Sequence, residues 1–186
     1  GDFREVCLKM THMYIRKILS LVLCVFLNST VVFTAAQAQT IAKPLPAAVN
    51  PIGLRPYEEG DWKKLLSQRG NKPLVVHFWG VTCGPCLTEM SQWGKFVNQG
   101  EGQVIFVQVD EVSMDITRNL AQKMHIDKAP NYVVRSKFDE FLRYEIDTKW
   151  TGEIPYTVTI DKNGLQKAYA GNTKFKELQA WFRKNS

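Results

Sequence analysis

The sequence predicts one α/β domain in which a central mixed β-sheet is flanked by helices, and three observations carry that expectation. Pro73 to Gly80, PLVVHFWG, is a continuous apolar run rich in valine and aromatics, which suits a strand buried on both faces. From Gly84 to about Asn98 the apolar residues Cys86, Met90, Trp93 and Val97 recur at three- and four-residue intervals, as on one face of a helix. A second buried run, Gln103 to Asp110 (QVIFVQVD), follows after a short connection. Strand, helix and strand joined this way form a βαβ unit, whose crossover is right-handed. At 186 residues, 45% of them hydrophobic, the chain suffices for one domain with its own core.

The other elements follow in order. Residues 1–38 read as an address. Arg16 and Lys17 precede an apolar stretch from Ile18 to about Leu27, and Ala36-Gln37-Ala38 fits a secretory cleavage site, with cleavage expected after Ala38. An uncleaved membrane anchor is the alternative. Pro44, Pro46, Pro51 and Pro56 make residues 39–56 an extended linker, which leaves 57–186 for the domain. Asp61 caps a short helix from Trp62 to Gln68. Met114 to His125 reads as an amphipathic helix with Ile116, Leu120 and Met124 on its apolar side, and His125 as a capping or surface residue. Ile126 to Thr151 reads as a short βα insertion, with a strand at Tyr132 to Arg135 and a helix around Phe138 to Tyr144. Tyr156 to Asp161 is β-branched and alternating. Lys162 to Gly164 turns the chain, and Leu165 to Gly171 returns as its hairpin partner. Phe175, Leu178, Trp181 and Phe182 mark a closing helix.

The formal charge of +6 is spread over interspersed acids and bases, with no dense basic block, so nucleic-acid binding is not expected. Of four cysteines, Cys7 and Cys24 fall in the address segment, leaving Cys83 and Cys86 with Gly84 and Pro85 between them. A bridge closing so short a loop constrains little of the unfolded chain, so chemistry explains the pair better than stapling. A thiol attacks a disulfide as thiolate. Free backbone N–H groups and the positive end of a helix dipole at Cys83 favour that form, while Cys86, one turn inward, is placed to resolve a mixed disulfide. Pro85 fits the first helical turn, where its missing N–H is not needed.

The order of elements, with FWGVTCGPC, EIPYT and DKNGLQKAYAG, resembles the thioredoxin superfamily from about Asp61 to Lys184. Within it, the exported TlpA/ResA/CcmG-like thiol-disulfide oxidoreductases are nearest in pattern. The resemblance implies the thioredoxin fold, Cys83 as nucleophile and Cys86 as resolving thiol. It also implies a cis bond before Pro155, with Ile154 touching sulfur and substrate, and Trp79 and Thr82 bordering the site as substrate contacts. No cofactor beyond a Cys83–Cys86 redox disulfide and no resident metal are implied. The implied partners are protein disulfides and a membrane thiol reductase for recharging, and the implied location is the periplasm.

Four positions depart from the pattern. Thr82 stands where relatives usually carry tryptophan, Tyr156 intervenes between Pro155 and Thr157, and Ser91 occupies a frequent proline position. His77 stands where thioredoxins place a buried acid. It reads either as a buried neutral histidine bonded to neighbouring backbone or as the acceptor of the Cys86 proton. Glu89, the acid three places after Cys86, reads as a solvated first-turn residue, with proton relay as the alternative. The expected activity is disulfide reduction, for example of haem-attachment or copper-site cysteines. A copper chaperone using the two cysteines and a DsbA-like oxidase or isomerase are the competing readings.

Overall fold

A computed structural model describes residues 53–186. The expected signal segment and nearly all of the linker lie outside the described residues. Six strands form one sheet: β1 (Arg55–Tyr57), β2 (Leu74–Trp79), β3 (Gln103–Gln108), β4 (Asn131–Val134), β5 (Tyr156–Ile160) and β6 (Gln166–Ala170). Their spatial order is β1-β4-β3-β2-β5-β6. β2 pairs parallel with β3 and antiparallel with β5, so all six of its residues are buried. The helices are α1 (Asp61–Gln68), α2 (Gly84–Asn98), α3 (Met114–Lys123), α4 (Glu140–Ile146) and α5 (Phe175–Asn185).

Side chains alternate along β2 and supply two cores. Leu74, Val76 and Phe78 join Trp62 and Leu65 of α1, Leu142 and Ile146 of α4, and Trp150. Val75 and Trp79 join Cys86, Met90, Trp93 and Phe96 of α2, Ala121 of α3, and Leu178 and Phe182 of α5. Truncating any one of the fully buried aromatics here would cost about 3–5 kcal/mol.

The structure moves several expected boundaries. Arg55 and Pro56 leave the linker and, with Tyr57, form the parallel edge strand against β4. The first part of the expected insertion belongs to the sheet itself, since β4 sits between β1 and β3. α4 starts two residues later than expected because the Asp139 carboxylate accepts the Phe141 and Leu142 N–H groups and fixes the helix start. α3 buries Thr117 and Ala121 with Leu120 and Met124 packed against the core beside them, so the expected inward side holds except at Ile116, which is 48% exposed. Beyond Lys123 the chain leaves the helix, and His125 adopts φ +58°.

α2 and the end of α3 meet at a glycine. A Cβ at Gly94 would lie 2.1 Å from the Met124 carbonyl oxygen, and Asn98 donates from Nδ2 to the carbonyls of both Gly94 and His125. Gly94→Ala is therefore expected to destabilise the fold by about 1–3 kcal/mol through overpacking, read as a lowered urea midpoint. An unchanged midpoint would show that the two helices separate without cost.

Candidate active site

Cys83 is the N-cap of α2 with extended backbone (φ −89°, ψ 104°), and Cys86 lies three residues into the helix. The two are joined as a disulfide, with Cα atoms 5.2 Å apart. The Cys86 N–H donates to Cys83 Sγ at 3.2 Å, in the manner of an N-capping side chain. Cys86 is fully buried, while Cys83 is partly exposed. One sulfur thus faces solvent at a helix start and the other lies beneath it.

Two loops frame Cys83. The Ile154–Pro155 bond is cis, and the Ile154 carbonyl oxygen lies 3.7 Å from Cys83 Sγ. On the other side, Asp110 Oδ2 accepts the Thr82 N–H at 2.8 Å and the Thr82 hydroxyl at 3.0 Å. A Cβ on Gly80 would meet Asp110 Oδ1 at 2.7 Å and Ile154 Cδ1 at 2.8 Å, so a larger residue there would push both side chains back from the turn before Cys83. Thr82 is exposed and Ile154 half-buried, as surface contacts must be, whereas Pro155 is buried. Trp79 corrects its expectation: it has no exposed surface and packs in the core cluster of Cys86, so it cannot touch a substrate.

Glu89 also corrects its expectation. It lies one turn beyond Cys86 on the inner face of α2 and is only 3% exposed. Its Oε2 accepts the Thr173 N–H at 2.6 Å, and its Oε1 accepts Trp93 Nε1–H at 3.3 Å. His77 Nε2 lies 3.1 Å from the same Oε1, close enough for an ion pair yet not aligned for a directed hydrogen bond. His77 Nδ1 is 2.9 Å from the Thr157 hydroxyl. His77 is thus buried as expected but bonded to side chains, not to backbone. Nδ1 is taken by the Thr157 hydroxyl, and Nε2 faces the Glu89 carboxylate. Facing a carboxylate, Nε2 carries the proton and Nδ1 accepts from Thr157, a tautomer assigned from these neighbours.

Burial drives the His77 ring below its ordinary 6.5, and the opposing pull of Glu89 does not restore it. Burial would raise the Glu89 carboxyl, but His77 and the Thr173 and Trp93 N–H groups outweigh it and hold Glu89 below its usual range. At neutral pH the pair is a neutral imidazole beside a carboxylate.

The sequence reading missed Asp110, Thr157 and Thr173. Asp110 carried a signal, since it ends a buried run at the carboxyl end of a parallel strand, where α/β sheets place their sites. Among the described residues no helix is long and apolar enough to cross a membrane, and no group of three or more His, Cys, Asp or Glu gathers as a metal site would require.

Residues 54–150 match the family model described as thioredoxin. The chain belongs to the thioredoxin family. It is similar to the thiol-disulfide oxidoreductase ResA of Geobacillus thermodenitrificans, at 29% identity over 122 residues. That match covers 64% of this chain and 65% of the relative, so the chain spans slightly under two thirds of the relative's length. Two solved structures share the thioredoxin fold. One is a secreted disulfide oxidoreductase of Mycobacterium tuberculosis, with TM-score 0.50 and 14% identity, covering 63% of this chain and 85% of that one. The other is the exposed lipoprotein thioredoxin of Streptococcus pneumoniae, with TM-score 0.50 and 18% identity, covering 64% and 89%.

The pair's titration has a sign. Below 6.5 the unfolded chain protonates a histidine that the fold keeps neutral, so stability is full above that value and declines as pH falls below it. Glu89, held low, adds a second loss as pH falls from 4.5 through its folded value. Between pH 7.5 and 5, wild-type urea stability is expected to fall with a slope of at most one proton per molecule from this source. His77→Asn should flatten that slope; an identical slope in the variant would mean His77 is not held neutral.

Proposed function

We propose that this protein is an exported thiol-disulfide oxidoreductase that reduces protein disulfides in the periplasm through Cys83 and Cys86. The observation that carries the reading is a disulfide across the N-cap and first turn of α2, with the exposed sulfur receiving a backbone N–H beside a cis-proline loop. In the dithiol form that N–H and the helix dipole favour a thiolate at Cys83. The thiolate attacks a substrate sulfur, an S–S bond forms between Cys83 and the substrate, and the second substrate sulfur leaves with the electron pair and takes a proton. Cys86 then loses its proton, attacks Cys83 Sγ and expels the first substrate sulfur. The substrate gains two electrons, and the Cys83–Cys86 disulfide re-forms.

Glu89 and His77 receive the Cys86 proton in this scheme. Glu89 sits one turn from Cys86 on the same helix face, where side chains are neighbours. The pair, a neutral imidazole beside a carboxylate, has room for one proton, and the contacts that hold Glu89 low make that uptake transient. Ile154 and Thr82 supply the substrate-facing rim, and an extended substrate backbone pairs beside Ile154. Recharging falls to a membrane dithiol reductase. The Gly-Pro pair supports the reducing direction, since thioredoxin itself is poised near −270 mV and strong periplasmic oxidants near −120 mV.

Equilibration of the mature protein with a dithiothreitol series tests the direction: about −220 mV or below is expected, and a value near −120 mV would reverse it. Cys86→Ser should accumulate a mixed disulfide on Cys83 visible by intact mass, whereas Cys83→Ser should form none. Adducts on the Cys83→Ser protein would reassign the nucleophile. Glu89→Gln is expected to slow release of the mixed disulfide by about a hundredfold at neutral pH, the low end for a positioned proton acceptor, without slowing its formation. Equal slowing of both steps would remove the pair from proton transfer.

A further inference from the structure

The segment between α4 and β5 is braced in a way that the two-cysteine chemistry leaves unexplained. Trp150 is 1% exposed and stacks on Tyr156 with ring centroids 4.1 Å apart and planes 8° from parallel. Its Nε1–H donates to the Glu153 carbonyl at 2.8 Å. One indole therefore holds the chain on both sides of Ile154 and Pro155, by an edge hydrogen bond before them and a stacked face after them. The indole itself is fixed by a tilted contact to Phe78 of β2 and an edge-on contact to Phe138 ahead of α4, at 4.9 and 5.1 Å.

The second anchor is Asp147, just past the end of α4. Its Oδ1 accepts the Lys149 N–H at 2.8 Å, closing the turn, and its Oδ2 accepts the Tyr156 hydroxyl at 2.8 Å. Those contacts hold the Asp147 carboxyl low, the Lys149 N–H foremost. Burial, then Asp147, keeps the Tyr156 phenol protonated as a donor. The loop held in this way brings the Ile154 carbonyl to 3.7 Å from Cys83 Sγ.

We propose that Trp150, Tyr156 and Asp147 are positioning residues for polypeptide substrates: they fix the backbone of residues 153–155 at the height where an extended client chain pairs beside Cys83. The proposal rests on the oxidoreductase reading and adds to it the residues that hold the pairing loop in place. A small disulfide reaches the exposed Cys83 sulfur without pairing to the loop, and so does not depend on the brace. A disulfide within a polypeptide uses the loop's backbone for alignment and does depend on it.

The test compares wild type, Tyr156→Phe and Trp150→Phe in steady-state reduction of insulin with dithiothreitol as electron donor, and in the stoichiometric reaction of the pre-reduced proteins with dithiobisnitrobenzoate. Tyr156→Phe keeps the stack and removes only the hydroxyl on Asp147; Trp150→Phe keeps an apolar ring and removes the N–H on Glu153. Each is expected to raise KM for insulin about three- to tenfold, the range for losing one partly buried hydrogen bond. kcat, the rate with the small disulfide and the reduction potential should stay at wild-type values. A purely structural role would instead lower both rates together or shift the potential, and that result overturns the proposal. So does an insulin KM that neither variant changes while wild type is active. A wild type inert towards both disulfides overturns the oxidoreductase reading, and the brace as a substrate device falls with it.

Discussion

A strand hydrogen-bonded on both sides inside a covered sheet has no exposed edge, and β2 is such a strand. Its side chains must all be accommodated in the interior, and their direction is fixed by alternation. Val75, His77 and Trp79 are thereby committed to the face carrying α2. β2 ends at Trp79, and Gly80 opens the turn that delivers Cys83 to the start of α2, its carbonyl accepting the Cys83 N–H. Sulfur position, helix start and buried imidazole are consequences of one placement.

Putting a histidine on that face creates an electrostatic demand. A lone imidazole among Trp93 and Phe106 would be poorly solvated, with ring centroids 4.7 and 6.0 Å away. Glu89 and Thr157 meet the demand from α2 and β5, and Glu89 is in turn satisfied by Thr173 at the entrance to α5. The polar set links four separated parts of the chain on the face of β2 that also packs Cys86.

The legible parts of the sequence were those with long, redundant patterns. β2 and β3 are dominated by apolar residues and α2 is periodic over four turns, and they fall where expected. β1 was illegible because three residues, one of them proline and two of them exposed, carry no pattern of their own; β4 alone makes them a strand. On α3 only Ile116 misled: Leu120 and Met124 pack against the core as their spacing suggests, and the smaller Thr117 takes the buried position beside them. Glu89 looked solvated because a charged residue early in a helix usually is. Trp93, four residues on and bonded to it, was the one local hint, since His77 and Thr173 are remote in sequence. The cysteines needed no tertiary information, whereas the brace on Tyr156 needed all of it.

The position of β4 limits how this domain can vary in size. Because β4 lies between β1 and β3, the span from α3 to β5 is spliced into the sheet and not hung from its rim. Shortening that span to the bare minimum would strand β1 with nothing to pair against and uncover Tyr57, a fully buried ring of the first core. Within that span the stretch between Val134 and α4 lies outside the strand pairing, so added length there leaves the seams of the sheet uncut.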